Sequence, residues 1–95
     1  MVKGVTDSGF EFEVNEKITK DFLFVKAYRL ANHSDPYKQI DGFTDLVSML
    51  FGDKEEDYYK FLKEHFDGIV PADVLGKDIG SVIRQVEKAS ESAKK

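Results

Sequence analysis

Between Ser8 and Val14 the chain alternates strictly between polar and apolar side chains, and after Thr19 the apolar positions recur at helical spacing instead. Alternation places Phe10, Phe12 and Val14 on one face of a strand. One short strand cannot bury that face alone, so it must pair with the Val2–Val5 segment and dock on the helices that follow. Asn15-Glu16-Lys17-Ile18 reads as a polar connection, and Thr19 as the cap of a first helix running to about Ala31, with Asp21 in its first turn. Phe22, Leu23, Phe24, Val25, Ala27, Tyr28, Leu30 and Ala31 cover most of that helix's circumference, which predicts the central core helix.

Asn32-His33-Ser34 forms a loop, and Asp35-Pro36 restarts the chain with an N-cap and a proline at the first helical position. Tyr37, Ile40, Phe43, Val47 and Leu50 keep three-four spacing up to Gly52, with Asp41-Gly42 as a weak point in the middle. Gly52 is placed for a left-handed helix end, and Asp53 with Glu56 has the spacing of a capping box opening the next helix. Tyr58, Phe61, Leu62, His65 and Phe66 line one face of that helix, which stops at Gly68. Pro71 begins the last helix, in which Leu75, Ile79, Val82, Ile83 and Val86 form a stripe before a polar segment after Ala89. The predicted fold is mainly α, in the α+β sense: an N-terminal β-hairpin followed by about four short packed helices. Residues 1–89 form the single domain and residues 90–95 a flexible polar tail.

At 95 residues, such a domain buries roughly 60 to 65% of its unfolded surface and has modest stability. Eight Phe and four Tyr exceed what so small a core absorbs, which places some rings at the surface or against another chain. The chain has no Cys, so disulfides, Cys-ligated zinc and a thiol nucleophile are excluded. The longest apolar run, Phe22 to Val25, is far too short to span a bilayer, and Met1 to Gly4 leads into no signal-peptide core. A soluble cytoplasmic protein is expected. The net charge of −4 arises from 14 basic and 18 acidic residues mixed along the chain, with no polybasic stripe to neutralise phosphates, so nucleic acid is not an expected partner.

Candidate chemistry is sparse. Asp53, Glu55, Asp57 and Glu64 fall at positions one, three, five and twelve of a calcium-loop window, but Tyr58 stands where the sharp turn requires glycine. An acidic first helical turn is the better reading. His33 and His65 lack companions at ligand spacing, no serine sits in a nucleophile elbow, and Gly76 to Ser81 lacks the order of a phosphate-binding loop. Its two glycines are read as sites of close helix packing or of an irregular helix start. No cofactor, metal or catalysis is expected. The stripe Leu75, Ile79, Val82, Ile83 and Val86 has two readings: core packing, the default, or contact with a partner or a second copy.

The order of these features resembles the tail assembly chaperones of long-tailed, siphovirus-type bacteriophages. The similarity runs from Gly9 to Glu16, through Asp21-Phe22, Leu50-Phe51-Gly52 and Tyr58-Tyr59 with Leu62, to the Gly68–Pro71 connection and the Ile79–Ile83 stripe. It covers most of residues 9–86. The chain departs from the family pattern at Phe22, where many relatives look Trp-like, and at Asp41-Gly42, which interrupts a helix that is usually continuous. The resemblance implies a non-catalytic protein of the infected cell's cytoplasm, not expected in the mature virion. It would coat the aggregation-prone tape-measure protein, self-associate along it and promote polymerisation of the tail tube. It also implies a longer product made by ribosomal frameshifting that recruits tail-tube protein, and Ala93-Lys94-Lys95 can be encoded by the slippery run GCA-AAA-AAG. The alternative is a small acidic phage or bacterial regulatory or inhibitory protein that mimics nucleic-acid charge. Lys54, Lys60 and Lys63 break up the carboxylate arrays such a mimic needs.

Overall fold

A computed structural model describes residues 1–93. Strands β1 (Val2–Val5) and β2 (Glu11–Val14) pair antiparallel with Val2 opposite Val14 and Val5 opposite Glu11. The connecting turn closes when the Thr6 amide donates to the Phe10 carbonyl at 2.9 Å and the Phe10 amide to Thr6 Oγ1 at 3.0 Å. Gly9 supplies the positive φ of +105° that this turn needs. Phe12 and Val14 are buried as the alternation requires, and the ring of Phe10 packs edge-on to Phe51 and Tyr58, with centroids 5.5 and 5.2 Å away.

The connection after β2 is a 3-10 helix, Glu16–Lys20, opened by Asn15, whose Oδ1 accepts from the Lys17 amide at 2.9 Å. This moves the first helix cap. Thr19 spends its hydroxyl on the Glu16 carbonyl, and Asp21 instead caps α1 (Phe22–Ala31), its Oδ1 accepting from the Leu23 amide at 2.7 Å. α1 is also not the central helix. It buries only Phe24, Ala27 and Ala31, and most of its other apolar side chains face outward.

α2 (Pro36–Phe51) starts as expected, with Asp35 accepting from the Tyr37 amide at 2.9 Å and Pro36 in the first turn. It runs unbroken through Gly42, which is a contact and not a weak point. A Cβ built there would sit 2.7 Å from both the Ala27 carbonyl oxygen and the Leu30 carbonyl carbon. The absence of a side chain lets α2 lie backbone-to-backbone against α1. α2 buries Leu46, Val47, Leu50 and Phe51, while Tyr37 and Ile40, at its start, are exposed.

Gly52 ends α2 at φ +53°, ψ −122°, a positive-φ conformation glycine favours. The Asp53–Glu56 capping box does not form. Gly52–Lys54 makes one 3-10 turn, and α3 (Glu55–His65) begins without a side-chain cap, its Glu55, Glu56 and Asp57 complementing the helix dipole instead. Glu55 also accepts a hydrogen bond from Ser48 Oγ at 2.9 Å, tying α3 back to α2. Asp67 and Gly68, both at positive φ, turn the chain. The Pro71 carbonyl accepts from the Leu75 amide at 3.0 Å as α4 (Ala72–Ala93) starts. α4 supplies the centre of the core: Ile79, Val82 and Val86 are fully buried and Ile83 nearly so. The helix continues past Ala89 to Ala93, so the expected tail begins inside it, and Lys94-Lys95 lie outside the described residues.

Candidate functional site

The stripe named for partner contact lies in the core. Ile79, Val82, Ile83 and Val86 pack against the hairpin and helices, with Leu75 half-buried at the margin, so a second chain does not reach them while α4 is seated. Of the residues named as helix punctuation, Gly52 and Gly68 turn the chain at positive φ after α2 and α3 and Pro71 immediately precedes α4, whereas Asp53 and Glu56 form no cap. Gly76 and Gly80 do not permit close packing. A Cβ at Gly76 would meet only the Phe43 ring edge at 3.8 Å, and one at Gly80 only Arg84 at 3.4 Å.

One residue of the same helix face was not singled out by sequence reasoning. Asp78 is fully buried among apolar neighbours, and its carboxylate accepts three hydrogen bonds: from the Ser8 amide at 2.9 Å, Ser8 Oγ at 2.5 Å and Tyr58 Oη at 2.8 Å. A buried charge is tolerable only when so satisfied. Burial, then the hydrogen bond to Asp78 and its negative charge, hold the Tyr58 phenol far above its usual range and keep it protonated as a donor. The cluster joins the hairpin turn, α3 and α4 at one point. Nearby, Gln85 Nε2 donates to the Val5 carbonyl at 3.0 Å and to Ser81 Oγ at 3.1 Å, a second stitch between α4 and the hairpin. Both carboxylate oxygens of Asp78 are engaged, so the arrangement acts as a structural tie. The signal was in the sequence: Asp78 lies three residues after Leu75 and four before Val82, on the apolar face.

The histidines are locally occupied. His33 Nδ1 accepts from the Asp35 amide at 2.9 Å, and His65 stacks on Phe61 with ring centroids 4.1 Å apart. Among the described residues no group of three His, Cys, Asp or Glu side chains converges on a point where a metal ion could sit. No described helix is long and apolar enough to cross a membrane.

What stands out is an apolar surface on the α1–α2 hairpin. Phe22, Leu23, Val25 and Tyr28 of α1, with Tyr37 and Ile40 of α2, are all exposed, Phe22 at 69% and Tyr37 at 79%. They account for six of the nine large apolar side chains exposed among the described residues, the others being Met1, Val5 and Ile69. The excess of aromatic residues is therefore resolved at this hairpin. On α1 the outward side chains Phe22, Val25, Lys26, Arg29 and Leu30, with His33 beyond its end, border an open groove of about 660 Å³. The spacing 22, 25, 26, 29, 33 is one helix face, opposite the buried 24, 27, 31. α1 thus has two faces with apolar side chains: one seats it, and the other has no partner among the described residues. No family model matches the chain, and no curated protein or solved structure matches it.

Proposed function

We propose that this chain is a binding protein of the phage tail assembly chaperone type, whose α1–α2 hairpin holds an aggregation-prone client in the cytoplasm of the infected bacterium. The client is the tape-measure protein, which the chaperone coats while tail-tube subunits polymerise around it. The observation that carries the reading is the concentration of exposed apolar side chains on one helical hairpin of an otherwise polar, acidic surface. Exposed patches of this kind mark sites of contact with another macromolecule. Copies assemble along the client, Tyr37 and Ile40 being available for contact between them. The protein leaves as the tube closes, and a longer frameshifted form recruits the tube protein.

The test is co-expression with the protein encoded by the long, helical open reading frame expected immediately downstream. The chaperone reading expects that protein to stay in solution and co-purify with this chain, and to precipitate when Phe22→Asp and Val25→Asp are introduced together. Absence of such a reading frame, or unchanged precipitation in the presence of the parent chain, overturns it.

A further inference from the structure

The outward face of α1 combines two features that restrict what can cover it. Its apolar members, Phe22, Val25 and Leu30, demand a hydrophobic counterpart. Between them stand Lys26 and Arg29, three residues apart on the same face, and neither forms an ion pair among the described residues. Among the described residues no carboxylate borders the groove: Asp21, at the start of the helix, spends Oδ1 on the Leu23 and Phe24 amides, and Asp35 spends its own on the Tyr37 amide. In a chain of net charge −4, this is a locally basic apolar face. The remaining charge acts on it weakly, because a Debye length of about 8 Å screens it at physiological ionic strength.

We infer that this face docks an amphipathic helix of another protein, whose apolar stripe is flanked by Asp or Glu side chains placed to pair with Lys26 and Arg29. The inference deepens the binding reading above and rests on it. A second copy is a poor occupant. A symmetric contact would set Lys26 and Arg29 of one chain against the same pair of the other, with no carboxylate on the face to separate them. An asymmetric contact would need an exposed acidic-apolar stripe elsewhere on the chain. The start of α2 comes nearest, with exposed Tyr37 and Ile40 beside Asp41 and Asp45, but its two apolar side chains span about one turn, next to Lys38, and cannot cover the roughly three turns of α1. The acidic start of α3, Glu55-Glu56-Asp57, is followed outward by Lys60, Lys63 and Glu64, with no exposed large apolar side chain among them. The length also suits a helix: the ten residues of α1 extend about 15 Å, enough for some three turns of a partner. Apolar burial would supply affinity, and the two basic groups would set its register and choice of partner.

The test uses two synthetic 18-residue helical peptides that share one leucine stripe, flanked by Glu in the first and by Lys in the second. Binding to the full chain is read by fluorescence anisotropy, and the contacted amides by NMR. The parent should prefer the Glu-flanked peptide about tenfold, as two rim charge pairs allow, with shifts centred on residues 22–33. The Lys26→Glu, Arg29→Glu double variant, changed only at exposed positions, should invert that preference. Failure of both peptides to bind, equal binding of the two, or shifts centred elsewhere would overturn the inference. So would α1-dependent dimerisation, or binding to vesicles of anionic phosphatidylglycerol that outcompetes the peptide. Capture of the tape-measure protein without the charge preference would remove this inference alone, whereas the preference without that capture would remove only the chaperone reading.

Discussion

Replacing Gly42 by alanine adds one methyl group where α2 crosses α1, and the structure fixes what that methyl meets. The obstacles are the Ala31 amide nitrogen, the Ala27 carbonyl oxygen and the Leu30 carbonyl carbon, all backbone atoms of α1. The last two stand at 2.7 Å, about 0.7 Å short of ordinary van der Waals contact, and no side chain can rotate away to relieve them. The helices must separate or tilt. Overpacking of this kind costs up to about 3 kcal/mol, while alanine in a helix interior returns about 1 kcal/mol relative to glycine. The expected net loss is about 2 kcal/mol, or roughly 8–16 °C in Tm for a domain of this size. Gly76→Ala is the control. It makes the same change inside α4, where the new methyl reaches only the Phe43 ring at 3.8 Å, so it should stabilise by about 0.5–1 kcal/mol. Urea and thermal unfolding followed by circular dichroism measure both. If Gly42→Ala melts at or above the parent, α1 and α2 do not approach as closely as described, and the account of how α1 is seated is wrong.

Tyr58→Phe removes one of the three donors to Asp78 and should cost about 1–3 kcal/mol near neutral pH, read by urea unfolding. Because the Tyr58 phenol is raised in the fold from its ordinary 10.0, its contribution is complete below that value and is lost as pH rises above it, when the unfolded chain ionises first; Tyr58→Phe should flatten the fall in stability at alkaline pH. Gly52→Val should cost about 1–3 kcal/mol from backbone strain alone, since no atom lies within 4 Å of the added Cβ position, whereas Asp53→Ala, which removes no cap, should stay within about 0.5 kcal/mol of the parent in the same melts. Phe22→Ser should leave the unfolding midpoint nearly unchanged while Phe24→Ala, two residues away and buried, costs about 3–5 kcal/mol; equal losses would mean that Phe22 belongs to the core.

Features that depend on neighbours in sequence were legible, and those that depend on partners in space were not. The hairpin follows from alternation, and the α2 start from Asp35-Pro36, because strand faces and helix caps are local geometry. Gly42 shows the limit: a glycine within a helical pattern reads as a breaker, and only the approach of α1 makes it a contact. Asp53 and Glu56 have the right spacing for a capping box, but the backbone at Gly52 leads into a 3-10 turn that removes the geometry the box requires. α1 misled for another reason. Apolar residues around its whole circumference look the same whether the helix is enclosed by its own fold or offers one face to another molecule.

The way α1 is attached explains how the chain can keep that second face. Phe24 is the only large side chain it buries, and its other two buried positions are alanines lying where Gly42 admits the backbone of α2. Close backbone packing through small residues needs little side-chain volume, so the bulk of Phe22, Leu23, Val25 and Tyr28 remains free to point outward. Other elements supply most of the core: α4 contributes Ile79, Val82 and Val86, and the Asp78 cluster joins the hairpin turn and α3 to the same helix. Stability and binding therefore rest on different residues. Substitutions on the outer face of α1 can change which partner is held without unfolding the protein that holds it, and a surface built this way can be adapted to a client independently of the core.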